Sequence, residues 1–179
     1  GLHIIPSTVD LSSADIELIK TKTPSTALSM AFSGDQSLFE GYDFIFIDCP
    51  PSLSLLTINA MVAANSVLIP LQTEFFALEG LSQLMLSVRE VRKSVNTELR
   101  FEGVVLTMFD RRNNLSQQVE KDARDNLGEL IFKTVIPRNV RVSEAPSHSM
   151  SVLSYEPKSR GAQAYRRLGK EFLKNNKDI

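Results

Sequence analysis

The stretch FIFIDCPPSL, residues 44–53, places one acid after an apolar run and two prolines shortly after that acid. The acid is Asp48, and phosphate-binding α/β proteins use a carboxylate at the end of a buried strand to support Mg²⁺. An aspartate can also cap the helix that follows it. However, Pro50 and Pro51 place Asp48 too early to cap a helix that begins near Leu53. The pattern therefore favours a metal-supporting carboxylate, with helix capping as the structural alternative.

A phosphate-binding loop to accompany this carboxylate is not found in the sequence. Such a loop follows G-x-x-x-x-G-K-[ST], in which backbone amides surround the phosphates and the lysine reaches the terminal oxygens. The chain has eight glycines, and no pair of them has this spacing. Gly169 is followed by Lys170, but Glu171 stands where Ser or Thr is needed. We therefore expect that this chain does not hold a triphosphate in the usual way.

Strands and helices alternate along the sequence. Apolar runs predict strands, and helical spacing with start and stop residues predicts helices. The predicted strands are 2–5, 42–47, 66–71, 101–109 and 131–136. The predicted helices are one that starts at Ser12 or Ser13, then 24–39, 53–64, 78–95, 115–127 and one after Ser159. This order predicts a three-layer α/β fold, a mostly parallel sheet with helices on both faces. The nearly continuous apolar strand 42–47 is expected to be covered on both sides.

Polar and proline residues follow the predicted strands. In parallel sheets, ligands bind beyond the carboxyl ends of the strands. The segments at these ends are 6–8, 48–51, 70–74, 107–112 and 137–141. Their hydrogen-bonding side chains and rigid corners predict a polar ligand site at this edge.

The composition is that of one globular domain spanning residues 1–179, with 42% hydrophobic and 23% charged residues. No apolar run approaches the roughly 18 residues of a membrane span, and residues 1–8 do not resemble a signal peptide. Cys49 is the single cysteine, which excludes a disulfide framework within the chain. We expect a cytoplasmic protein in which Cys49 is a small buried apolar residue.

Charge is distributed unevenly between the two parts of the chain. Residues 133–179 contain ten Lys and Arg against four Asp and Glu, a net charge of +6. The chain as a whole carries −1, so residues 1–132 carry −7. The basic segment is suited to a polyanion, although solvated helix faces would give the same charge pattern.

Four blocks in order identify a family resemblance. These are YDFIFIDCPPSLSLLTINAM, VLIPLQTEFFALEGL, VVLTMFDRRNNLSQQV and KTVIPRNVRVSEAPSHSMSV. They resemble the ParA/Soj family of chromosome- and plasmid-partition ATPases, of the MinD/ParA deviant-Walker superfamily. The resemblance implies a P-loop NTPase fold of the SIMIBI type, with ATP or ADP and Mg²⁺ as cofactors. It also implies ATP-dependent homodimers that bind DNA without sequence specificity, a ParB-type partner protein, a cytoplasmic location at the nucleoid and no membrane attachment.

The family's nucleotide loop, K-G-G-x-G-K-T, precedes the segment that this chain resembles. The resemblance therefore implies that the chain is the C-terminal portion of a ParA-type ATPase domain, with the N-terminal part missing. We expect such a chain to bind no nucleotide and to be inactive by itself. An exposed strand edge is a further expectation, because the strand that carries the loop would be absent.

The resemblance also assigns roles to individual residues. Asp48 matches the switch II aspartate, which acts near Mg²⁺, through water, and near the attacking water molecule. The switch II segment comprises Asp48, Cys49, Pro50 and Pro51. The segments that cradle the adenine match Thr107, Met108, Pro137, Arg138 and Asn139. The DNA-contacting arginines match Arg112 and Arg141, and the basic segment is consistent with them.

Two positions depart from the family pattern. The family often has Gly at the position of Ser149, and Arg-Thr where Arg112-Asn113 stand. Neither difference affects the proposed chemistry.

Two other functions are compatible with the sequence. One is a P-loop-less, non-enzymatic module that binds DNA or a partner protein. The other is a MinD-type cell-division ATPase. Proteins of this type end in an amphipathic membrane helix, and the polar tail at residues 168–179 fits such a helix less well.

Overall fold

The structure, a computed structural model, describes residues 1–34, 36–50 and 52–177. The chain divides into two compact units. The first unit comprises Gly1–Ser66 and Leu84–Arg100, and the second comprises Val67–Gln83 and Phe101–Ile179. Within the described residues, no helix has the length and apolar character required to cross a membrane.

The first unit contains a small group of helices. They are α1 (Ala14–Ile19), α2 (Ala27–Gly34) and α3 (Leu55–Ala63), with 3-10 turns at Val9–Ser13 and Gln36–Phe39. The α3 helix packs against both α1 and α2. Asn59, only 3% exposed, joins α3 to the start of α2. Its Nδ2 donates to the Pro24 carbonyl at 2.7 Å, and its Oδ1 accepts the Leu28 N–H at 3.2 Å. This amide satisfies backbone groups that would otherwise be buried without partners.

The carboxyl end of α3 is closed by a second asparagine. Asn96 Nδ2 lies 3.0, 3.2 and 2.8 Å from the carbonyl oxygens of Met61, Val62 and Ala64. The last carbonyls of a helix lack partners within the helix, and this side chain supplies one. Buried Leu99 lies close by in sequence and is fully shielded from solvent.

The long helix α4 (Ala77–Ser94) confirms the predicted helix 78–95. Its first residues belong to the second unit and the remainder, from Leu84, to the first. Its apolar residues recur at helical spacing and form a stripe that is directed inward, since Leu81, Val88 and Val91 are all buried. The stripe therefore belongs to the core, as its spacing predicts.

Two predicted strands in the first unit are not formed. Residues 2–5 and 42–47 have no strand assignment, and Leu2, Ile5 and Phe46 are 86%, 90% and 69% exposed. The prediction that 42–47 is a strand covered on both faces is therefore wrong. A parallel strand is stabilised by hydrogen bonds to its neighbours, and no described strand pairs with either segment. The predicted helix 24–39 is also shorter, because it is replaced by α2 and the separate 3-10 turn.

The second unit is built on a parallel sheet, which makes the fold α/β as predicted. Strands β1 (Ser66–Gln72) and β2 (Arg100–Thr107) are hydrogen-bonded neighbours, and all but the first residue of each belong to this unit. The remaining helices are α5 (Asn114–Leu127), α6 (Val140–Glu144), α7 (Val152–Tyr155) and α8 (Arg160–Asn175), with 3-10 turns at Gly128–Leu130 and Ala145–His148.

Local capping residues explain the bounds of the longer helices. Asn113 Oδ1 accepts the Leu115 N–H at 2.9 Å at the start of α5. Gly128, with φ +53°, ends that helix. Ser159 Oγ accepts the Ala162 N–H at 3.1 Å at the start of α8. These residue types are the ones that helix termini favour, so the predicted bounds are close to the observed ones.

The segment 131–136 runs beside β2 but is not a continuous strand. Parallel bridges join Val104 to Ile131 and Phe109 to Pro137. Between them, the backbone N–H groups of Lys133 and Thr134 donate to the Glu171 carboxylate at 2.7 and 2.9 Å. The pairing with β2 is interrupted because a side chain on α8 takes these donors. The core of this unit lies beneath, formed by Val105, Phe132, Ile136 and Ala164 with Leu68, Leu168 and Phe172.

Candidate functional site

Asp48 lies in the first unit, on an irregular and exposed segment. No hydrogen bond or ion pair joins its carboxylate to another described residue. Pro50 is also exposed, whereas Pro51, the last residue of the predicted switch II segment, lies outside the described residues. The local structure thus leaves the Asp48 carboxylate accessible to solvent.

Cys49 is exposed, so the prediction that it is a buried apolar residue is wrong. Its Sγ lies 3.6 Å from the carbonyl oxygen of Ile47, within reach of a weak S–H hydrogen bond. Partial desolvation of the sulfur, and secondarily the Asp48 carboxylate, raise the pKa of the thiol above its ordinary value. This environment favours the thiol over the reactive thiolate.

A different aspartate caps the helix that follows Asp48. The N-cap position of α3 is Ser54, whose side chain makes no cap hydrogen bond. Instead, Asp15 Oδ1 on α1 accepts the Leu56 N–H at 2.9 Å. The Thr57 hydroxyl donates to the Ser52 carbonyl at 2.6 Å. Capping of α3 by Asp48 is therefore excluded, and Asp15 holds α1 against the helix start, which sequence spacing did not indicate.

The described residues do not form a complete Mg²⁺–nucleotide site. Among them, no group of three or more His, Cys, Asp and Glu side chains could hold a metal ion. Magnesium can be bound through one carboxylate when substrate phosphates supply further oxygens. The sequence, however, contains no glycine pair with the spacing of a phosphate loop. Among the described residues, the Asp48 carboxylate therefore has no further carboxylate, thiol or imidazole groups around it that would complete a metal site.

In the second unit, buried hydroxyls hold the ends of β1 and β2 together. Thr73, 2% exposed, donates its N–H to the Thr107 carbonyl at 3.2 Å. Its hydroxyl lies 3.1 Å from that of Ser116, which is 3% exposed on α5. The carboxyl edge of the sheet is therefore fixed to the first turns of α5.

The two segments predicted to cradle adenine lie side by side at this edge. The Phe109 N–H donates to the Ile136 carbonyl at 3.1 Å, and the Arg138 N–H donates to the Phe109 carbonyl at 2.9 Å. These bonds bring Thr107 and Met108 next to Pro137 and Arg138. Both Thr107 and Met108 are half-buried, and so is Pro137.

Met108 has φ +54°, a left-handed backbone conformation that is uncommon for residues other than glycine. Such conformations are often found at functional sites, where the surrounding structure holds them in place. The backbone turns sharply here because the chain leaves β2 and pairs one residue later with the 137 segment. This turn was not predicted from the sequence.

Asn139 connects the adenine segment to α6. Its Oδ1 accepts the Arg141 N–H at 3.1 Å and caps the helix. A side chain at Gly161 would collide with Val142 and contact Asn139 Oδ1 at 3.3 Å, so glycine is required for the close approach of α8. Arg141 therefore lies in the first turn of a helix whose position is fixed by packing.

Arg112, the first candidate DNA-contacting residue, follows this edge on an exposed turn. Its Nε and Nη2 each lie 3.3 Å from oxygens of the Asp110 carboxylate, and its backbone N–H donates to Asp110 Oδ1 at 3.0 Å. The side chain of Arg112 is nevertheless 91% exposed. Hydrogen bonds from Arg112 hold the pKa of the Asp110 carboxyl below its usual value, and the charge of Arg138 acts in the same direction.

Arg141, the second candidate, is exposed on α6. Its Nη1 lies 2.7 Å from Glu144 Oε2. The Tyr155 hydroxyl is 3.5 Å from the same oxygen, and the Tyr155 ring stacks on His148 with ring centres 4.7 Å apart. The hydrogen bond to Glu144 raises the pKa of the Arg141 guanidinium.

An apolar depression of about 500 Å³ lies beside the end of β1. Phe75 and Phe76, 71% and 73% exposed, form an edge-to-face pair with ring centres 5.0 Å apart. Leu71, Ala77 and Leu115 complete the apolar lining, and Gln72 and Glu74 border it.

The predicted site residues are thus divided between the two units. The adenine segments are joined directly in the second unit, which also carries Arg112 and Arg141. Asp48 belongs to the first unit. The side chains that hold the arginines, Asp110 and Glu144, were not singled out from the sequence, although an acid two or three residues from an arginine is a readable signal.

Comparison with known proteins identifies the family. A family model described as an AAA domain matches residues 1–101. Over 175 residues the chain is 51% identical to the sporulation initiation inhibitor protein Soj of Bacillus subtilis, covering 98% of this chain and 68% of that protein. Over 178 residues it is 51% identical to the chromosome partitioning protein ParA of Caulobacter vibrioides, covering 99% of this chain and 66% of that protein. The chain thus spans about two thirds of the length of these relatives.

A solved structure has the same fold. The structure of cobyrinic acid a,c-diamide synthase from Mycobacterium smegmatis, with bound ADP and magnesium, superposes with a TM-score of 0.77. The two are 32% identical, and the match covers 97% of this chain and 62% of that one. The fold is therefore that of the ParA/MinD-like P-loop NTPases. Identity of this extent over nearly the whole sequence shows that the chain belongs to the Soj/ParA family of chromosome-partitioning ATPases.

Proposed function

We propose that residues 1–179 form the C-terminal part of a ParA-type ATPase domain that segregates chromosomal or plasmid DNA. In this proposal, the protein acts at the nucleoid in the cytoplasm, by ATP-dependent homodimerisation and non-specific binding of DNA, and a ParB-type protein stimulates hydrolysis. The relatives are chromosome partitioning proteins, which supports the partition role. The surface chemistry of the second unit supports the role in DNA binding.

The observation that carries this proposal is the exposure of Arg112 and Arg141 next to a rigid sheet edge. Arg112 follows β2, whose end is fixed by the Thr73 and Ser116 hydroxyls. Arg141 follows Asn139, which caps α6. Arg141 lies in the basic segment 133–179, and Arg112 belongs to the same compact unit. Exposed cationic side chains are suited to DNA phosphates. Arg111, Arg138, Lys158 and Arg160 can add phosphate contacts.

We assign the nucleotide base to the paired segments at the same edge. Thr107, Met108, Pro137 and Asn139 are half-buried, and Arg138 is exposed. Together they offer backbone groups and small apolar surfaces to a planar ring. Asp48 would act near Mg²⁺ through water when the phosphates are present, and Cys49, Pro50 and Pro51 would form switch II with it.

A P-loop-less, non-enzymatic DNA- or partner-binding module is the second candidate. A specific observation favours it for this chain, namely the absence of the G-x-x-x-x-G-K-[ST] pattern from its 179 residues. Under both candidates, Asp48 has no phosphate-bound metal to act on in the isolated chain. We therefore derive no hydrolytic step for it.

Binding measurements on one preparation of the chain test the proposal. Fluorescence anisotropy would compare two labelled duplexes of equal length and unrelated sequence, and equilibrium dialysis would measure binding of labelled Mg-ATP. We expect equal affinities for the two duplexes and no Mg-ATP binding at micromolar concentration. A marked preference for one duplex would contradict a non-specific surface. Tight Mg-ATP binding would contradict an incomplete nucleotide site.

A further inference from the structure

We propose that Asp110 and Glu144 are positioning residues, which hold the guanidinium groups of Arg112 and Arg141 in the orientation that binds DNA phosphates. This inference rests on the proposed function, because it requires that the two arginines contact DNA. Both residues are acidic, and both lie on the surface that is proposed to bind DNA. Their negative charge alone would oppose the binding of a polyanion.

The Asp110–Arg112 pair is anchored to the backbone. Asp110 Oδ1 accepts the backbone N–H of Arg112 at 3.0 Å, and the Asp110 carbonyl accepts the Asn113 N–H at 3.0 Å. The backbone turn therefore fixes the Asp110 carboxylate independently of its contact with the Arg112 guanidinium. It then takes the Nε and one Nη hydrogen of Arg112, with both distances 3.3 Å. A guanidinium has five N–H donors, so three remain for a phosphate.

The Glu144–Arg141 pair is anchored by side chains. Glu144 Oε2 accepts Arg141 Nη1 at 2.7 Å and lies 3.5 Å from the Tyr155 hydroxyl. Tyr155 is itself held by stacking on His148 at 4.7 Å. The side chain of Glu144 is 37% exposed and that of Arg141 52% exposed. The carboxylate is thus restrained on one side while the arginine remains accessible on the other.

Folding stability does not explain these two pairs. The Arg112 side chain is 91% exposed, and ion pairs in water contribute little to the free energy of unfolding. Such a pair can, however, restrict a long side chain to fewer rotamers in the free protein, so that less conformational entropy is lost on binding. A guanidinium with one edge fixed presents its other edge in a constant direction, which suits bidentate contact with a phosphate.

The inference predicts an effect opposite in sign to that of simple electrostatics. If Glu144 were only a negative charge near the DNA, removing it would strengthen binding, because repulsion of the phosphates would be relieved. If Glu144 positions Arg141, its removal weakens binding even though the net charge becomes more positive. The sign of the change therefore separates the two roles.

A double-mutant cycle measures this coupling. The four proteins are the unsubstituted chain, Glu144→Ala, Arg141→Ala and the double variant, each titrated with a random-sequence duplex at fixed salt. We expect Glu144→Ala to weaken binding by about threefold to tenfold when Arg141 is present. In the Arg141→Ala background it should have no weakening effect. Glu144→Gln, which keeps an acceptor oxygen but removes the charge, should retain most of the affinity.

A second cycle and a control complete the experiment. Asp110→Ala with Arg112→Ala repeats the test at the first pair, and Asp110→Asn, which keeps an acceptor oxygen for the turn and the guanidinium, should retain most of the affinity. Glu156→Ala removes another acid of the basic segment that has no ion pair within the described residues, and it should leave binding unchanged or slightly stronger. Thermal unfolding midpoints should agree among all variants, so that a loss of affinity reports orientation rather than unfolding.

The outcomes distinguish this inference from the proposed function. If the unsubstituted chain binds DNA but Glu144→Ala strengthens binding equally in both backgrounds, the positioning role is wrong and the DNA surface stands. If the unsubstituted chain binds no duplex DNA, the positioning role is wrong, because it requires that Arg112 and Arg141 of this chain contact DNA. Weakening that disappears in the Arg141→Ala background supports the positioning role.

Discussion

At the scale of single residues, the backbone conformation at Ser149 favours glycine over the serine that this chain has. Ser149 has φ +53° and follows the 3-10 turn at Ala145–His148, where a left-handed residue ends the helical path. Glycine adopts this conformation without the steric cost that other residues incur. The glycine that the family often has at this position is therefore the residue that the local geometry favours.

Replacing Ser149 with glycine should stabilise the protein. We expect Ser149→Gly to raise the free energy of unfolding by about 0.5 to 1 kcal/mol, because relief of the left-handed conformation exceeds the added flexibility of the unfolded chain. Ser143→Gly, at an exposed position in α6, is the matched control and should lower it by about 0.5 kcal/mol. Chemical denaturation of both variants checks the pair, and a destabilising Ser149→Gly would contradict the conformational explanation.

Single residues also mark the limit of what the sequence predicted at the site. Thr107, Met108, Pro137 and Arg138 follow predicted strands, and the prediction that such strand ends lie at one edge of the sheet is correct for them. Spacing could not reveal that Asp15 caps α3, because the two are separated by 41 residues and a helix. Nor could it reveal the exposure of Cys49, because burial depends on neighbours that the local sequence does not specify.

At the scale of elements, helices were predicted more accurately than strands. Caps such as Asn113, Gly128 and Ser159 are local signals. Helix α5 begins and ends close to the predicted residues, and α8 begins directly after Ser159, as predicted. Strands depend on distant partners. The segment 42–47 has a strand-like apolar run but no described pairing partner, and 131–136 loses its central pairing to Glu171.

The attachment of α8 through Glu171 provides a pH-dependent test. Partial burial raises the pKa of Glu171, but hydrogen bonds from Thr134 and Lys133 outweigh it, and the pKa lies below the ordinary 4.5. A lowered folded-state pKa gives stability that is present above the unfolded value and lost as pH falls through the folded one. We expect Glu171→Gln to lower the free energy of unfolding by about 1 to 2 kcal/mol at neutral pH.

The cost of Glu171→Gln should shrink as pH falls below the ordinary glutamate pKa and through the lowered pKa of Glu171, because the carboxyl of the unsubstituted protein then becomes protonated. Denaturation curves at a series of pH values would measure this convergence. Glu129→Gln, an exposed acid without a partner among the described residues, should change stability by less than about 0.5 kcal/mol at any pH. A cost of Glu171→Gln that is independent of pH would show that the charge of the carboxylate is unimportant.

At the scale of the whole molecule, charge and fold together define the proposed role. The net charge of +6 over residues 133–179 lies entirely within the second unit, together with Arg112 and the sheet edge. Alternation of strands and helices correctly predicted the α/β fold. The division into two compact units was not predicted, because it depends on which distant segments pack together.

The salt dependence of DNA binding shows directly whether Arg112 and Arg141 contact phosphates. The unsubstituted chain, Arg112→Ala and Arg141→Ala would be titrated with a random-sequence duplex over a range of salt concentrations, with Arg89→Ala, an exposed arginine of the first unit, as the control. If both arginines contact phosphates, each substitution weakens binding similarly on any sequence and reduces the slope of log affinity against log salt by about 1. Arg89→Ala should leave the slope unchanged. Slopes that are the same in all four proteins, or losses that depend on the DNA sequence, would contradict a non-specific phosphate-binding surface at Arg112 and Arg141.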